Sequence, residues 1–130
     1  MSNVIQQLSS EEKNSEEAGF YFSASYRQLT ARINLWSPPT DVYETEKDII
    51  VRVEIPGMKD SEFSISIDGR MLAVMGSRPG LTGLQAYYQM EIHTGEFLSI
   101  VELPGNVKFD EIEASYLDGF LQVRLPKDRS

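Results

Sequence analysis

The chain has 130 residues, 41% hydrophobic and 25% charged, which suits one domain with a buried core better than two. It has no cysteine, which excludes disulfides, thiolate zinc sites and a cysteine nucleophile together. Its net charge of −8 comes without a basic stripe, which argues against nucleic acid, because phosphate contacts need clustered Lys and Arg. No run reaches the ~18 apolar residues of a membrane span. Met1 to Ser10 carry no positive charge ahead of their few apolar residues, unlike a secretory leader. The expected address is therefore cytoplasmic, with neither membrane nor nucleic acid as a partner.

Residues 1–38 read as an arm. Ser9 to Glu17 form a polar, charge-rich stretch, expected to be disordered or a frayed helix. Phe20, Tyr21 and Phe22 then place three aromatics together. Tyr26, Leu29, Ile33 and Trp36 follow at spacings of three, four and three, which is one face of a helix. Ser23 or Ser25 is placed to cap its start, and Ser37-Pro38-Pro39 stops it. So short an arm cannot bury this apolar face by itself and must dock on something.

After Pro39 the period becomes two. Ile49, Val51, Val53 and Ile55 alternate with Ile50, Arg52 and Glu54. Phe63, Ile65 and Ile67 alternate with Ser64, Ser66 and Asp68. Tyr88, Met90 and Ile92 alternate with Gln89, Glu91 and His93, and Leu121, Val123 and Leu125 with Gln122 and Arg124. Each run is predicted to be a half-buried strand. Asp68-Gly69 and Asp118-Gly119 are hairpin dipeptides, and Pro56-Gly57, Pro79-Gly80 and Pro104-Gly105 punctuate the rest. Short strands at this rhythm predict an all-β, immunoglobulin-like antiparallel sandwich over residues 39–127, followed by the residual tail 128–130.

The chain shows no catalytic set. His93 is the only histidine, and one imidazole makes neither a metal site nor a triad. The segment from Arg78 to Gly83 lacks the spacing of a phosphate-binding loop. Asp110, Glu111 and Glu113 are not framed as a calcium loop and read as turn and edge charges. No cofactor, metal or enzymatic activity is expected.

The order of the motifs says more than the strands do. Trp36 to Thr45 (W-S-P-P-T-D-V-Y-E-T) resembles the segment that opens the α-crystallin domain of bacterial and plant small heat-shock proteins. Val51 to Gly57 (V-R-V-E-I-P-G) looks like that family's next strand and its stop. Leu72 to Arg78 resembles the L-x-V-x-G-x-R strand. Gly95-Glu96-Phe97 with Leu103-Pro104 is similar to its G-x-F…L-P segment, and Ala114 to Lys127 resembles its A-x-x-x-(D/N)-G-x-L-x-V-x-L-P-K signature. Together these motifs cover residues 36–127. Two departures stand out: Ser99 occupies the place of a frequent family Arg, and only Asp128-Arg129-Ser130 follow Lys127, where the family usually adds an Ile-x-Ile tail.

The resemblance implies an ATP-independent holdase that binds partly unfolded clients under stress. It implies a homodimer, or a small homo-oligomer, in which the loop from Pro79 to Ala86 meets the partner's Thr40–Thr45 strand. The seam would hold Val42, Tyr43, Leu81 and Leu84; the other reading leaves the loop merely mobile. It also implies a client or tail groove between Phe63, Ile65, Ile67 and Ile112, Ala114, Tyr116, unless these residues face the core, since alternation alone does not say which face is inside. Phe20, Tyr21, Phe22, Tyr26, Leu29 and Trp36 are the candidate client contacts of the arm; in the other reading they dock on the protein's own sandwich or on the dimer partner. Two alternatives remain: an interaction module like the CS-domain co-chaperones, and an assembly subunit of a tail-bearing relative.

Overall fold

A computed structural model describes residues 2–3, 35–59 and 62–129. The described residues form strands β1 (Ser2–Asn3), β2 (Thr40–Glu44), β3 (Asp48–Glu54), β4 (Phe63–Asp68), β5 (Met71–Arg78), β6 (Gly95–Glu102), β7 (Glu113–Leu117) and β8 (Phe120–Pro126), with one 3-10 turn at Phe109–Glu111. All strand pairs are antiparallel. One sheet has the order β1-β7-β8-β3-β2 and the other β4-β5-β6. The predicted helix over Tyr26–Trp36 falls mostly outside the described residues; of its face only Trp36 is described.

The period-two runs form these sheets because each puts one apolar row inward. Ile49, Val51 and Val53 of β3 lie opposite Leu125, Val123 and Leu121 of β8. Phe63, Ile65 and Ile67 of β4 lie opposite Gly76, Val74 and Leu72 of β5. The two rows join with Ile55, Phe97, Leu103, Val107, Ile112 and Ala114 in one continuous core. Burying each large member fully is worth about 1.5–3 kcal/mol relative to leaving it exposed.

Turn chemistry sets the register. At the β7–β8 hairpin Asp118 and Gly119 have φ of 54° and 85°, the two left-handed residues of a tight primed turn. Gly119 also lies against the Pro56 ring, where a Cβ would come within 3.1 Å, and its carbonyl accepts Ile55 N at 2.8 Å. The second hairpin turns at Gly69, φ 60°.

One predicted strand is absent. Tyr88, Met90 and Ile92 belong to no strand of this structure and are 103%, 66% and 76% exposed. Among the described residues their alternation has no neighbouring strand to pair with, and the whole stretch from Pro79 to Thr94 lies outside both sheets.

Candidate interaction surfaces

Arg78, at the end of β5, organises one end of the sandwich. Its Nε and Nη2 donate to His93 O at 2.9 and 2.6 Å, and its Nη1 donates to Pro56 O at 3.3 Å. The guanidinium lies 4.4 Å from the Trp36 ring centroid, and His93 stacks on the same indole at 5.3 Å and 17°. A planar guanidinium suits this position because it can donate in a fork while stacking on an aromatic face. Both ends of the segment Pro79–Thr94 are thereby tied down while its middle stands in solvent.

Trp36 is correspondingly anchored. Its backbone bridges Phe97: Trp36 N donates to Glu96 O at 3.4 Å, and Leu98 N donates to Trp36 O at 3.0 Å. Its Nε1 donates to Gly95 O at 3.3 Å, and the ring packs against the core. This differs from the expectation that Trp36 serves as a mobile client contact. The other arm candidates, Phe20, Tyr21, Phe22, Tyr26 and Leu29, lie outside the described residues.

The expected groove residues are turned inward. Phe63, Ile65 and Ile67 are 1%, 0% and 1% exposed, and Ile112 and Ala114 are also buried. Tyr116 is half-buried, with its ring 5.1 Å from that of Phe63 and its hydroxyl donating to Ile55 O at 2.8 Å. The six residues therefore meet as core between β4 and β7 and do not line an open groove. Ala114 lies opposite Val123 and is buried inside the sandwich. The free edge of β7 is itself paired: Ser2 sits opposite Tyr116 and Asn3 opposite Ser115.

The expected seam residues are exposed. β2 is the outermost strand of its sheet, and no described strand pairs with its far edge. Val42 and Tyr43 on β2 are 36% and 47% exposed. Leu81 and Leu84 are 74% and 105% exposed in the segment after β5. The structure does not bring the two pairs together within one chain. Sequence reasoning stopped the apolar segment at Ala86, whereas exposed apolar residues continue through Tyr87, Tyr88, Met90 and Ile92. The alternation of Tyr88, Met90 and Ile92 was the signal for that continuation.

Ser99, in place of the frequent Arg, is buried and shares a hydrogen bond of 2.7 Å with Thr40 Oγ1. A neutral hydroxyl pair here joins β6 to β2 across the two sheets. Arg124 sits between Asp48 at 3.2 Å and Glu113 at 3.1 Å. The hydrogen bond that Arg124 donates to Glu113 is the main cause holding its pKa above the usual value, and Asp48 adds to it against partial burial. No group of three or more His, Asp or Glu among the described residues is placed to hold a metal ion. No helix among them is long and apolar enough to cross a membrane.

The Hsp20/alpha crystallin family model matches residues 41–130, most of the chain. The chain belongs to that family. Heat shock protein HSP.16.4 of Streptococcus thermophilus is 36% identical over 92 residues, covering 68% of this chain and 65% of that protein. Small heat shock protein C4 of Rickettsia felis is 29% identical over 114 residues, covering 86% of this chain and 67% of that one. The chain thus spans about two thirds of the length of these curated relatives. Among solved structures, heat shock protein 16.0 from Schizosaccharomyces pombe superposes with a TM-score of 0.68 at 28% identity, over 76% of this chain and 72% of that one. HspA from Xanthomonas axonopodis gives 0.67 at 26%, over 73% and 97%. The Hsp20 match thus rests on both sequence and fold, and the sandwich is an α-crystallin domain.

Proposed function

We propose that this protein is an ATP-independent holdase: it binds partly unfolded client proteins in the cytoplasm under stress and keeps them from aggregating, without catalysis or a cofactor. Family membership supports the chaperone role. The observation that carries the mechanism is the segment Pro79–Thr94, which holds Leu84, Tyr88, Met90 and Ile92 out in water while Arg78 secures its base. An apolar display of this kind marks an interaction site.

The working unit in this reading is a homodimer. The exposed segment of one copy adds to the open edge of β2 in the other, and Leu81 and Leu84 meet the partner's Val42 and Tyr43. Strand addition suits both sides, since one offers unpaired backbone and the other an alternating apolar row. The aromatic arm residues Phe20, Tyr21, Phe22, Tyr26 and Leu29 are the proposed client contacts. Exposed apolar side chains lend themselves to binding many sequences because the hydrophobic effect is non-directional.

Light scattering of a heat-destabilised client, with no nucleotide added, tests the reading. Suppression at equal mass is expected. Unchanged aggregation beside folded protein would overturn the holdase and favour a module for one defined partner.

A further inference from the structure

With five methionines and no cysteine, the chain carries all of its sulfur as thioether. Four of the five lie among the described residues, and their surroundings differ. Met58, Met71 and Met75 are half-buried, and Met58 packs against the core. Met90 alone of the four is exposed, at 66%.

The position of Met90 matters more than its exposure. It stands between Tyr88 and Ile92 in the alternating row of the segment Pro79–Thr94, whose only charged side chain is Glu91. With Leu81, Tyr87 and Ile92 it lines a depression of 560 Å³ within that segment. Such a space admits a small neutral oxidant such as hydrogen peroxide. None of these side chains belongs to the core cluster, so a change at Met90 alters what the segment presents and leaves the packing of the sandwich alone.

Peroxide oxidises a thioether by transferring one oxygen atom. The sulfur lone pair attacks the O–O bond, an S–O bond forms as that bond breaks, and the peroxide leaves as water. The sulfur loses two electrons, and a flexible apolar side chain becomes a polar one. A sulfoxide oxygen taken into an apolar seam without a donor carries a desolvation cost. In the homodimer reading above, the row faces the partner, and symmetry repeats the lesion in a second seam.

We propose that Met90 is an oxidant-sensing modification site. Peroxide reaches its sulfur in chains that have dissociated, and the sulfoxide then keeps the row from adding to a partner's β2 edge. The chains stay apart with their apolar segments uncovered. A thiol-dependent methionine sulfoxide reductase reverses the change, with two electrons and two protons in and water out. The proposal rests on the homodimer reading and names an oxidant as its regulator.

The test treats the full chain with hydrogen peroxide and maps it by peptide mass spectrometry. Met90 is expected to oxidise at least about threefold faster than Met58, Met71 or Met75, as exposure dictates. In the same samples sedimentation should show the dimer dissociation constant rising about tenfold or more as the Met90 sulfoxide accumulates. Circular dichroism should not change, and the reductase with a dithiol should restore association. Met90→Leu, close in volume but without sulfur, should lose the peroxide response. Met90→Gln, with an uncharged polar end, should associate more weakly with no oxidant present. Equal oxidation at all four positions would overturn the proposal, as would a response that persists in Met90→Leu. An untreated protein with the mass of one chain at every concentration would overturn the homodimer reading and the switch with it. A dimer that survives full Met90 oxidation would overturn the switch alone.

Discussion

Gly76 shows how tightly one position can be specified. A Cβ there would lie 2.6 Å from Phe97 Cζ and 2.9 Å from Glu62 O. Neither neighbour yields easily, since Phe97 is a core ring and the other atom is backbone. Gly76→Ala is expected to destabilise by about 1–3 kcal/mol, as overpacking does, seen as a lower denaturant midpoint with unchanged slope. The Thr40–Ser99 hydroxyl pair is the second residue-scale device. A double-mutant cycle with Thr40→Val and Ser99→Ala should give a coupling of about 0.5–1.5 kcal/mol, the usual net worth of a neutral hydrogen bond. An unmeasurable coupling would mean that water replaces the bond without loss. The glycine of the L-x-V-x-G-x-R run was legible as a motif, but the ring packed over it was not, because Phe97 is separated from it by the whole exposed segment.

Among the elements, alternation located β3, β4 and β8 well, because each has a neighbour in the same chain and a core to face. The same alternation at Tyr88–Ile92 led to a strand that the structure does not contain. Period-two patterning says that a segment suits a sheet; it does not say whose sheet. Nor does it choose a face: Phe63, Ile65 and Ile67 were legible as one row, while their place inside depended on which strands closed over them. If the exposed segment pairs with the β2 edge of a second copy, replacing Leu84, Tyr88 and Met90 by Ser should reduce the solution mass to that of one chain. The melting profile of the sandwich should hardly change, because these side chains are 105%, 103% and 66% exposed and contribute nothing to the core. A mass unaffected by the triple change would remove this segment from the interface.

For the whole molecule, charge sets the conditions of association. The net charge is −8, and residues 39–130 carry sixteen acids against nine bases. Two copies approaching each other repel, so salt should strengthen a dimer held by apolar contact and backbone pairing. Screening shortens the range of that repulsion from about 30 Å at 0.01 M to about 3 Å at 1 M ionic strength. Sedimentation across that range should show tighter association as salt rises. A weaker dimer in high salt would mean that ion pairs, and not the apolar seam, hold it. Composition made the sign of this effect legible, whereas the burial of single residues on the outer face of the three-stranded sheet was not. Ser66, Ala73 and Leu98 are buried although their rows face away from the core cluster, and nothing in their own spacing distinguishes them.

The stack of Trp36 on His93 joins the only tryptophan of the chain to its only histidine. Indole emission from this protein is therefore a single-site signal with a known address. It originates where the arm enters the sandwich, beside the base of the exposed segment. A shift in that emission when another chain takes up the segment would turn that event into an optical trace that needs no added dye.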